Sequence, residues 1–218
     1  MNLNQAVKFL RSGKAVVFPT DTAYGLAVDA TNAKAIKRMF QIKKRKPTKP
    51  VHIVVSSLQM AKRYARFTPQ AEKLFKKFLP GPLTLILPLR PPPSVPPHKG
   101  EGRKSRPGGG VKLLSAGTGT IGIRMPKNKI ALDLVKKLGR PITATSANVA
   151  DSPTAYSVSQ IDGQYRNARL KPDFIIDSGL LAKIQPSTMV KLTDNKIEII
   201  RRGPITKTQI LNALRVQK

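Results

Sequence analysis

The chain has 218 residues, with 40 lysines and arginines against 11 acidic residues, no cysteine and a formal net charge of +29. Without cysteine it can form neither disulfides nor thiolate metal sites, and its two histidines, His52 and His98, are too few for a histidine-rich metal site. The length favours one domain over two, so we expect a single domain over residues 1–218. The positive charge predicts attraction to polyanions such as RNA or nucleotides, although a solvated basic surface explains it equally well.

The N-terminal segment contains no apolar core of signal-peptide length, and no stretch of the chain approaches the length of a membrane span. We therefore expect a cytoplasmic protein without a membrane partner. Apolar residues at helical spacing predict a first helix that ends at Ser12-Gly13, and Thr31-Asn32 are expected to cap a second helix over Ala33–Ile42.

Two apolar runs rich in β-branched residues, 15–18 and 51–55, predict buried strands. The oxygen-bearing side chains of residues 20–22 follow the first strand, and five cations between Lys43 and Lys49 precede the second. If these strands are neighbours in one sheet, hydroxyls and cations meet at one rim. Such a rim would suit an anionic ligand.

Helices and strands are predicted to continue along the chain without an internal repeat. Further helices are expected over 57–64, 69–78, 130–138 and 206–218, and further strands over 83–89, 118–125, 141–148, 174–177, 189–192 and 196–201. The last two strands are expected to form an antiparallel pair. We therefore predict an α/β fold with a twisted mixed parallel/antiparallel sheet flanked by helices.

Residues 90–110 interrupt this pattern with proline, glycine and cations at a density that cannot form a packed core. We interpret the segment as a mobile loop, with His98 solvated inside it. A basic arm that binds RNA is the alternative interpretation.

Several polar residues outside the first rim also permit more than one interpretation. Arg124 follows an alternating strand and should leave its end beside the other rim groups, or it is a surface charge. Ser146 and Asn148 offer donors at alternate positions, but a capping turn explains them equally well. His52 lies in an apolar strand, which favours a core or strand-partner histidine over a general base.

Eight segments in a fixed order resemble the threonylcarbamoyl-AMP synthase (YrdC-like) family, over roughly residues 3–205. They are Pro19-Thr20-Asp21-Thr22-Ala23-Tyr24-Gly25-Leu26, Ile42-Lys43-Lys44-Arg45, Lys49-Pro50, Pro80-Gly81-Pro82-Leu83-Thr84, Ile123-Arg124-Met125-Pro126, Thr145-Ser146-Ala147-Asn148, Pro186-Ser187-Thr188 and Ile200-Arg201-Arg202-Gly203. The ordered set is far more specific than any one motif. The resemblance implies the same α/β fold.

The resemblance also implies an activity, that of an L-threonylcarbamoyladenylate synthase, which is a nucleotidyltransferase. Members join L-threonine, bicarbonate or CO₂ and ATP into threonylcarbamoyl-AMP and release pyrophosphate, with Mg²⁺ accompanying the triphosphate and no protein-bound metal. A separate transferase complex then uses the product for tRNA modification. Fixed cations and hydroxyls suit such a reaction, because it depends on positioning and charge neutralisation and needs no protein nucleophile.

Residue by residue, the resemblance implies two binding sites. The catalytic cations would be Lys43, Arg45 and Arg124. The threonine site would comprise Thr22, Val54, Arg124, Ala144 and Ser187. The ATP site would comprise Arg45, Lys49, Thr120, Ser146, Asn148, Thr154 and Arg201.

Two positions depart from the family pattern: Val54 replaces a histidine found in some members, and Arg202 replaces the usual proline after Arg201. Two other functions remain as alternatives. A non-catalytic double-stranded RNA binder on the same fold would explain the charge, by binding shape and phosphates. A carbamoyl-transfer module of a hydrogenase-maturation protein would need cysteine-rich zinc segments, which this chain lacks.

Overall fold

The computed structural model describes residues 2–90, 109–193 and 196–215, which form a nine-stranded mixed sheet flanked by helices. The helices are α1 Leu3–Arg11, α2 Ala33–Ile42, α3 Leu58–Lys62, α4 Pro69–Phe78, α5 Gly109–Leu114, α6 Lys129–Leu138, α7 Val158–Tyr165 and α8 Lys207–Leu214. The strands are β1 Val16–Pro19, β2 Tyr24–Ala27, β3 His52–Val54, β4 Leu83–Pro88, β5 Thr120–Arg124, β6 Ile142–Ser146, β7 Phe174–Ile175, β8 Thr188–Thr193 and β9 Lys196–Arg201.

The strand order across the sheet is β7-β1-β2-β6-β3-β5-β4-β8-β9. Three neighbouring pairs are parallel (β1 with β7, β3 with β5, β4 with β8), and the other pairs are antiparallel. This arrangement confirms the predicted α/β fold with a mixed sheet, including the antiparallel pairing of the last two strands.

Successive side chains of a strand point to opposite faces of the sheet, and in β1 they pack into two different apolar layers. Val16 and Phe18 pack with α1 and α6 on one face of the sheet, whereas Val17 packs on the other face with α2 and the remaining core. Both faces of β1 are thus buried beneath helices, as expected for a strand whose sequence is a continuous apolar run.

Short polar side chains define the helix ends. The side chain of Asn32 accepts hydrogen bonds from the main-chain nitrogens of Lys34 and Ala35 at the start of α2. Lys44 then adopts a left-handed conformation with φ 51°, so the chain leaves α2 and turns Arg45 toward the sheet. The predicted bounds of α2 are confirmed.

The condition that the two apolar strands β1 and β3 are neighbours in one sheet is not met. β1 and β3 belong to one sheet, but β2 and β6 lie between them. β2 was not predicted because it contains Gly25, and glycine is unusual inside a strand. Glycine is needed there, since a Cβ at this position would lie 2.8 Å from Cε1 of Phe18 on the paired strand.

Two helices were also missed. α7 has a weakly amphipathic sequence, and α5 begins in the last two residues of the segment predicted as a loop over 90–110 and continues to Leu114. Gly110 of α5 lies against the main chain of Ala30, where a Cβ would approach the carbonyl oxygen to 2.6 Å. Residues 91–108 of the predicted loop, and residues 216–218 of the predicted C-terminal helix, lie outside the described residues.

Candidate functional site

A cavity of about 340 Å³ lies over the central strands of the sheet, with lining residues from β1, β2, β6, β3 and β5. Its volume lies in the range typical of small-molecule sites. Nine of the thirteen residues singled out from the sequence line it: Thr22, Arg45, Val54, Arg124, Ala144, Ser146, Thr154, Ser187 and Arg201. No acidic side chain is found among the described residues of the lining.

Arg124 at the end of β5 carries a largely buried guanidinium group. Its Nη2 atom donates to Oδ1 of Asp21 at 2.9 Å, while Oδ2 of Asp21 accepts from the main-chain nitrogen of Lys127 at 3.3 Å. Burial lowers the pKa of Arg124, and Asp21 acts in the opposite direction. The Nε atom of Arg124 is buried and has no hydrogen-bond partner in the described chain. The hydrogen-bonding capacity of the Arg124 guanidinium group is therefore not used up by the described residues.

Arg201 at the end of β9 is held in place by Ser187. Its Nε and Nη2 atoms donate to the main-chain oxygen of Ser187 at 3.0 and 2.9 Å, and Nη2 also contacts the Ser187 hydroxyl at 3.2 Å. That hydroxyl lies 2.8 Å from the hydroxyl of Thr84 in the buried interior. The hydrogen bonds that link Thr84, Ser187 and Arg201 thus fix the Ser187 hydroxyl and the Arg201 guanidinium group next to each other in the cavity wall.

Arg45 enters the cavity from the segment after α2. Its Nη2 atom donates to the main-chain oxygen of Pro50 at 3.0 Å, and its buried Nε atom has no partner among the described residues. Burial lowers the pKa of Arg45. Together with Arg124 and Arg201 it gives the cavity three guanidinium groups with incompletely satisfied donors, which favours binding of oxyanions.

His52 lies against Gly122 of the paired strand β5, as expected of a strand-partner histidine, and it also lines the cavity. Burial lowers its pKa to about 4, with further lowering from Arg124, Arg201 and Arg45 in that order. The imidazole is therefore neutral at pH 7. Alternation along β3 was the signal that could have identified it, since His52 lies two residues before the predicted site residue Val54 and thus on the same strand face.

The prediction that Lys43 lies at the open rim beside Arg45 is corrected by the structure. Lys43 is buried, and its Nζ atom donates to the main-chain oxygens of Ser146 and Asn148 at 2.5 and 2.6 Å. Burial, followed by repulsion from Arg45, lowers its pKa to about 7. The reason for the difference is that α2 ends at Ile42 and the chain turns at Lys44, whose φ is 51°, so Lys43 faces the turn after β6 and Arg45 faces the cavity.

Asn148 likewise does not line the cavity. Its side-chain Nδ2 atom donates to the main-chain oxygen of Ser152 at 2.5 Å, and its Oδ1 atom accepts from Nζ of Lys43 and from the hydroxyl of Ser146. Of the two polar residues in this turn, Ser146 lines the cavity and Asn148 organises the turn behind it. The capping-turn interpretation of Asn148 thus describes its contacts.

Lys49 and Thr120, which the family resemblance also assigned to the ATP site, are not among the residues that line the cavity. Lys49 is exposed, and its main-chain oxygen accepts from Arg45 at 3.4 Å. Thr120 begins β5, four residues before Arg124, which corresponds to about 13 Å along an extended strand. Its hydroxyl lies 3.0 Å from that of Thr118. A motif match fixes sequence order, but strand length decides which end of a strand reaches a site.

Neither a metal cluster nor a membrane-spanning helix is found in the described parts of the chain. No three histidine, aspartate or glutamate side chains come together there as a metal site, and no helix there has the length and apolarity to cross a membrane.

Known proteins match this chain over almost the same residues as the ordered sequence motifs. A family model described as "Telomere recombination" (Sua5_yciO_yrdC) matches residues 8–203. A threonylcarbamoyl-AMP synthase of Pyrococcus abyssi is 34% identical over 206 residues, covering 94% of this chain and 55% of the relative. A putative threonylcarbamoyl-AMP synthase of Methanocaldococcus jannaschii is 35% identical over 198 residues, covering 91% of this chain and 84% of the relative.

The structure of P. abyssi Sua5 complexed with L-threonine has the same fold. It superposes with a TM-score of 0.81 at 32% identity, covering 97% of this chain and 57% of that one. The chain thus spans about half the length of the P. abyssi protein. The family match over residues 8–203, the shared fold and the sequence identities lead to one conclusion: this chain belongs to the Sua5/YciO/YrdC family.

Proposed function

We propose that this chain is a threonylcarbamoyl-AMP synthase, which joins L-threonine, bicarbonate or CO₂ and ATP and releases pyrophosphate. The observation that carries the proposal is the set of three guanidinium groups, Arg45, Arg124 and Arg201, on the wall of one cavity. The substrates are anions that repel one another, and fixed cations offset that repulsion. The names of the relatives and the threonine bound to P. abyssi Sua5 support the same choice.

Threonine would bind near Arg124. Its carboxylate would meet the part of the Arg124 guanidinium group that lines the cavity, while Asp21 holds Nη2 of the same group. The hydroxyls of Thr22 and Ser187 and the main chain at Val54 and Ala144 complete the proposed threonine site. Because Asp21 keeps the guanidinium group fixed before threonine arrives, little ordering remains to be done on binding.

ATP would bind at Arg45 and Arg201, together with Ser146 and Thr154, which line the same cavity. Lys43 and Asn148 would not contact ATP. They would support its site by fixing the turn that presents Ser146. Lys49 and Thr120 are left outside the proposed contacts. A Mg²⁺ ion bound to the triphosphate would supply further charge neutralisation.

The chemistry requires no covalent bond to the protein. The neutral threonine amine adds to CO₂ and loses a proton, which gives a carbamate. A carbamate oxygen forms a bond to the α-phosphorus as the bond from that phosphorus to the bridging β-oxygen breaks, so pyrophosphate leaves with the electron pair. The arginines contribute by orienting the two anions and by stabilising the charge on the transferred phosphoryl group.

We also propose that the chain forms a single domain, since one sheet includes strands from residue 16 to residue 201. Its place of action would be the cytoplasm. The product would be handed to a separate transferase complex for tRNA modification, and the net charge of +29 would give affinity for RNA.

The proposed reaction is tested by following pyrophosphate and the acyl-adenylate in the presence of ATP, threonine and bicarbonate. Release of pyrophosphate is expected only when threonine and bicarbonate are both present, because neither alone forms the carbamate nucleophile. Serine and glycine serve as amino-acid controls. Equal release with ATP alone would identify a hydrolase and contradict the proposal.

A further inference from the structure

The imidazole ring of His52 lies where a side chain at Gly122, on the adjacent strand, would otherwise be. A Cβ at Gly122 would lie 2.2 Å from Cδ2, 2.8 Å from Cγ and 3.1 Å from Nε2 of His52. The pairing of β3 with β5 places the two residues side by side, so the imidazole lies over the glycine. Contact along this edge restricts the orientation of the ring in the cavity wall.

The imidazole has no hydrogen bond to any residue that the structure describes, although it lines a cavity rich in polar groups. The charged groups that act on it are Arg124 from β5, Arg201 from β9 and Arg45 from the segment after α2. All three are cations, which lower its pKa along with burial to about 4. A neutral imidazole has one N–H donor and one acceptor nitrogen, and both remain available in this site.

We propose that His52 is a further ligand-contacting residue of the cavity, whose N–H group donates a hydrogen bond to an oxyanion held by the three arginines. The oxyanion is either the carboxylate of the amino acid or a phosphate group. This assignment of the oxyanion rests on the function proposed above. The contact itself requires only that an anion binds among Arg45, Arg124 and Arg201.

Neutrality makes His52 suited to this role in a site that already holds three cations. A fourth fixed charge would repel the arginines in the free protein, whereas a neutral donor adds a hydrogen bond without that cost. Ala144, which is opposite His52 on β6, belongs to the proposed threonine site. The imidazole is therefore beside a residue assigned to threonine, and it is within the electrostatic influence of Arg45 and Arg201, which are assigned to ATP.

Nuclear magnetic resonance of the imidazole tests the contact directly. The chain has two histidines, so a His98→Ala variant retains His52 as the single imidazole signal. Pyrophosphate and L-threonine are added separately, and the pH titration of the signal is compared with that of the free protein. Binding of the contacted anion should raise the pKa of His52 from about 4 toward its ordinary value, because the anion offsets the field of the arginines.

Calorimetry on His52→Leu and His98→Ala supplies the second measurement. Loss of a hydrogen bond to a charged ligand predicts about tenfold weaker binding of the same anion to His52→Leu, with no change for His98→Ala. A response to pyrophosphate identifies a phosphate contact, and a response to threonine identifies a carboxylate contact. Thermal unfolding verifies that His52→Leu folds, and His52→Gln replaces it if it does not.

The proposal requires both the rise in the pKa of His52 on anion binding and the weaker anion binding to the His52 variant. The proposal is overturned if neither anion moves the His52 signal, or if binding of both anions to the folded leucine or glutamine variant stays within twofold of the parent. These binding measurements involve no turnover. A protein that shows both responses but releases no pyrophosphate from the full substrate mixture would therefore disprove the proposed reaction and leave the His52 contact intact.

Discussion

The Nζ atom of Lys43 donates hydrogen bonds to both oxygens of Asn148, to the main-chain oxygen at 2.6 Å and to the side-chain oxygen at 3.2 Å. The main chain completes the connection, since the nitrogen of Ala150 donates to the main-chain oxygen of Lys43 at 2.7 Å. Two motifs that lie about one hundred residues apart in sequence thus form one buried unit. Its function in the structure is to fix the turn that presents Ser146 to the cavity.

Replacing Lys43 by methionine should therefore disturb the turn and lower stability. The substitution keeps most of the aliphatic stem but leaves buried oxygens without their donor, which typically costs about 1–3 kcal/mol of unfolding free energy. ATP affinity should fall in consequence, with threonine affinity less affected. Chemical denaturation and calorimetry measure these effects.

Lys44→Met is the matched control for that prediction, because it makes the same substitution at the exposed neighbouring position. Its stability and ATP affinity should stay close to those of the parent. If Lys43→Met keeps full stability while ATP binding is abolished, Lys43 contacts the nucleotide directly and the turn is not its main partner.

Arg124→Lys should weaken threonine binding more than ATP binding. Lysine preserves the positive charge but cannot both pair with Asp21 and present a planar fork to a carboxylate. A loss of tenfold or more in threonine affinity is expected. Arg202→Lys, at an exposed position outside the cavity lining, is the control, and equal weakening of both ligands by Arg124→Lys would assign the residue a structural role.

Arg45→Ala and Lys49→Ala should differ sharply, although both residues belong to the same basic segment. The guanidinium group of Arg45 lines the cavity, and the Lys49 side chain is exposed outside it. ATP affinity should fall at least tenfold for Arg45→Ala and less than twofold for Lys49→Ala. Comparable losses in the two variants would mean that long-range charge, and not contact, controls nucleotide binding.

Acid should destabilise the protein partly through His52. Its pKa in the folded state is about 4, below the ordinary value of 6.5, so the unfolded chain takes up a proton that the folded chain does not. The free energy of unfolding is therefore highest above pH 6.5. It decreases by at most about 3 kcal/mol as the pH falls from 6.5 to 4. Denaturation of His52→Leu at pH 7 and pH 4.5 should show a smaller pH dependence than the parent, and His98→Leu should match the parent.

Deleting residues 91–108 should leave synthesis of the adenylate nearly unchanged, since no family motif lies within them. The deletion must stop before α5, because Gly110 is packed against the main chain of Ala30. RNA affinity should fall and its salt dependence should become shallower, because Lys99, Arg103, Lys104 and Arg106 no longer displace counterions. Filter binding over a range of salt concentrations measures this, and unchanged RNA binding would remove the segment from that role.

The sequence by itself determined the elements whose signals are local. The cap of Asn32, the apolar spacing of α2 and the alternation that brings Arg124 to the end of β5 are all encoded within about ten residues. The ordered motifs were equally visible in sequence, and they contain six of the nine predicted site residues that share one cavity. Such features depend on neighbouring residues and need no knowledge of the rest of the fold.

Only the tertiary structure decided which side chains face the cavity. Lys43 and Arg45 are two residues apart, yet one ammonium group is buried against Asn148 and one guanidinium group enters the cavity. His52 became a cavity residue because Gly122, seventy residues later, leaves room for its ring on the neighbouring strand. Strand order, the close approach of distant main chains and the direction of each side chain follow from packing between distant segments, which no local pattern records.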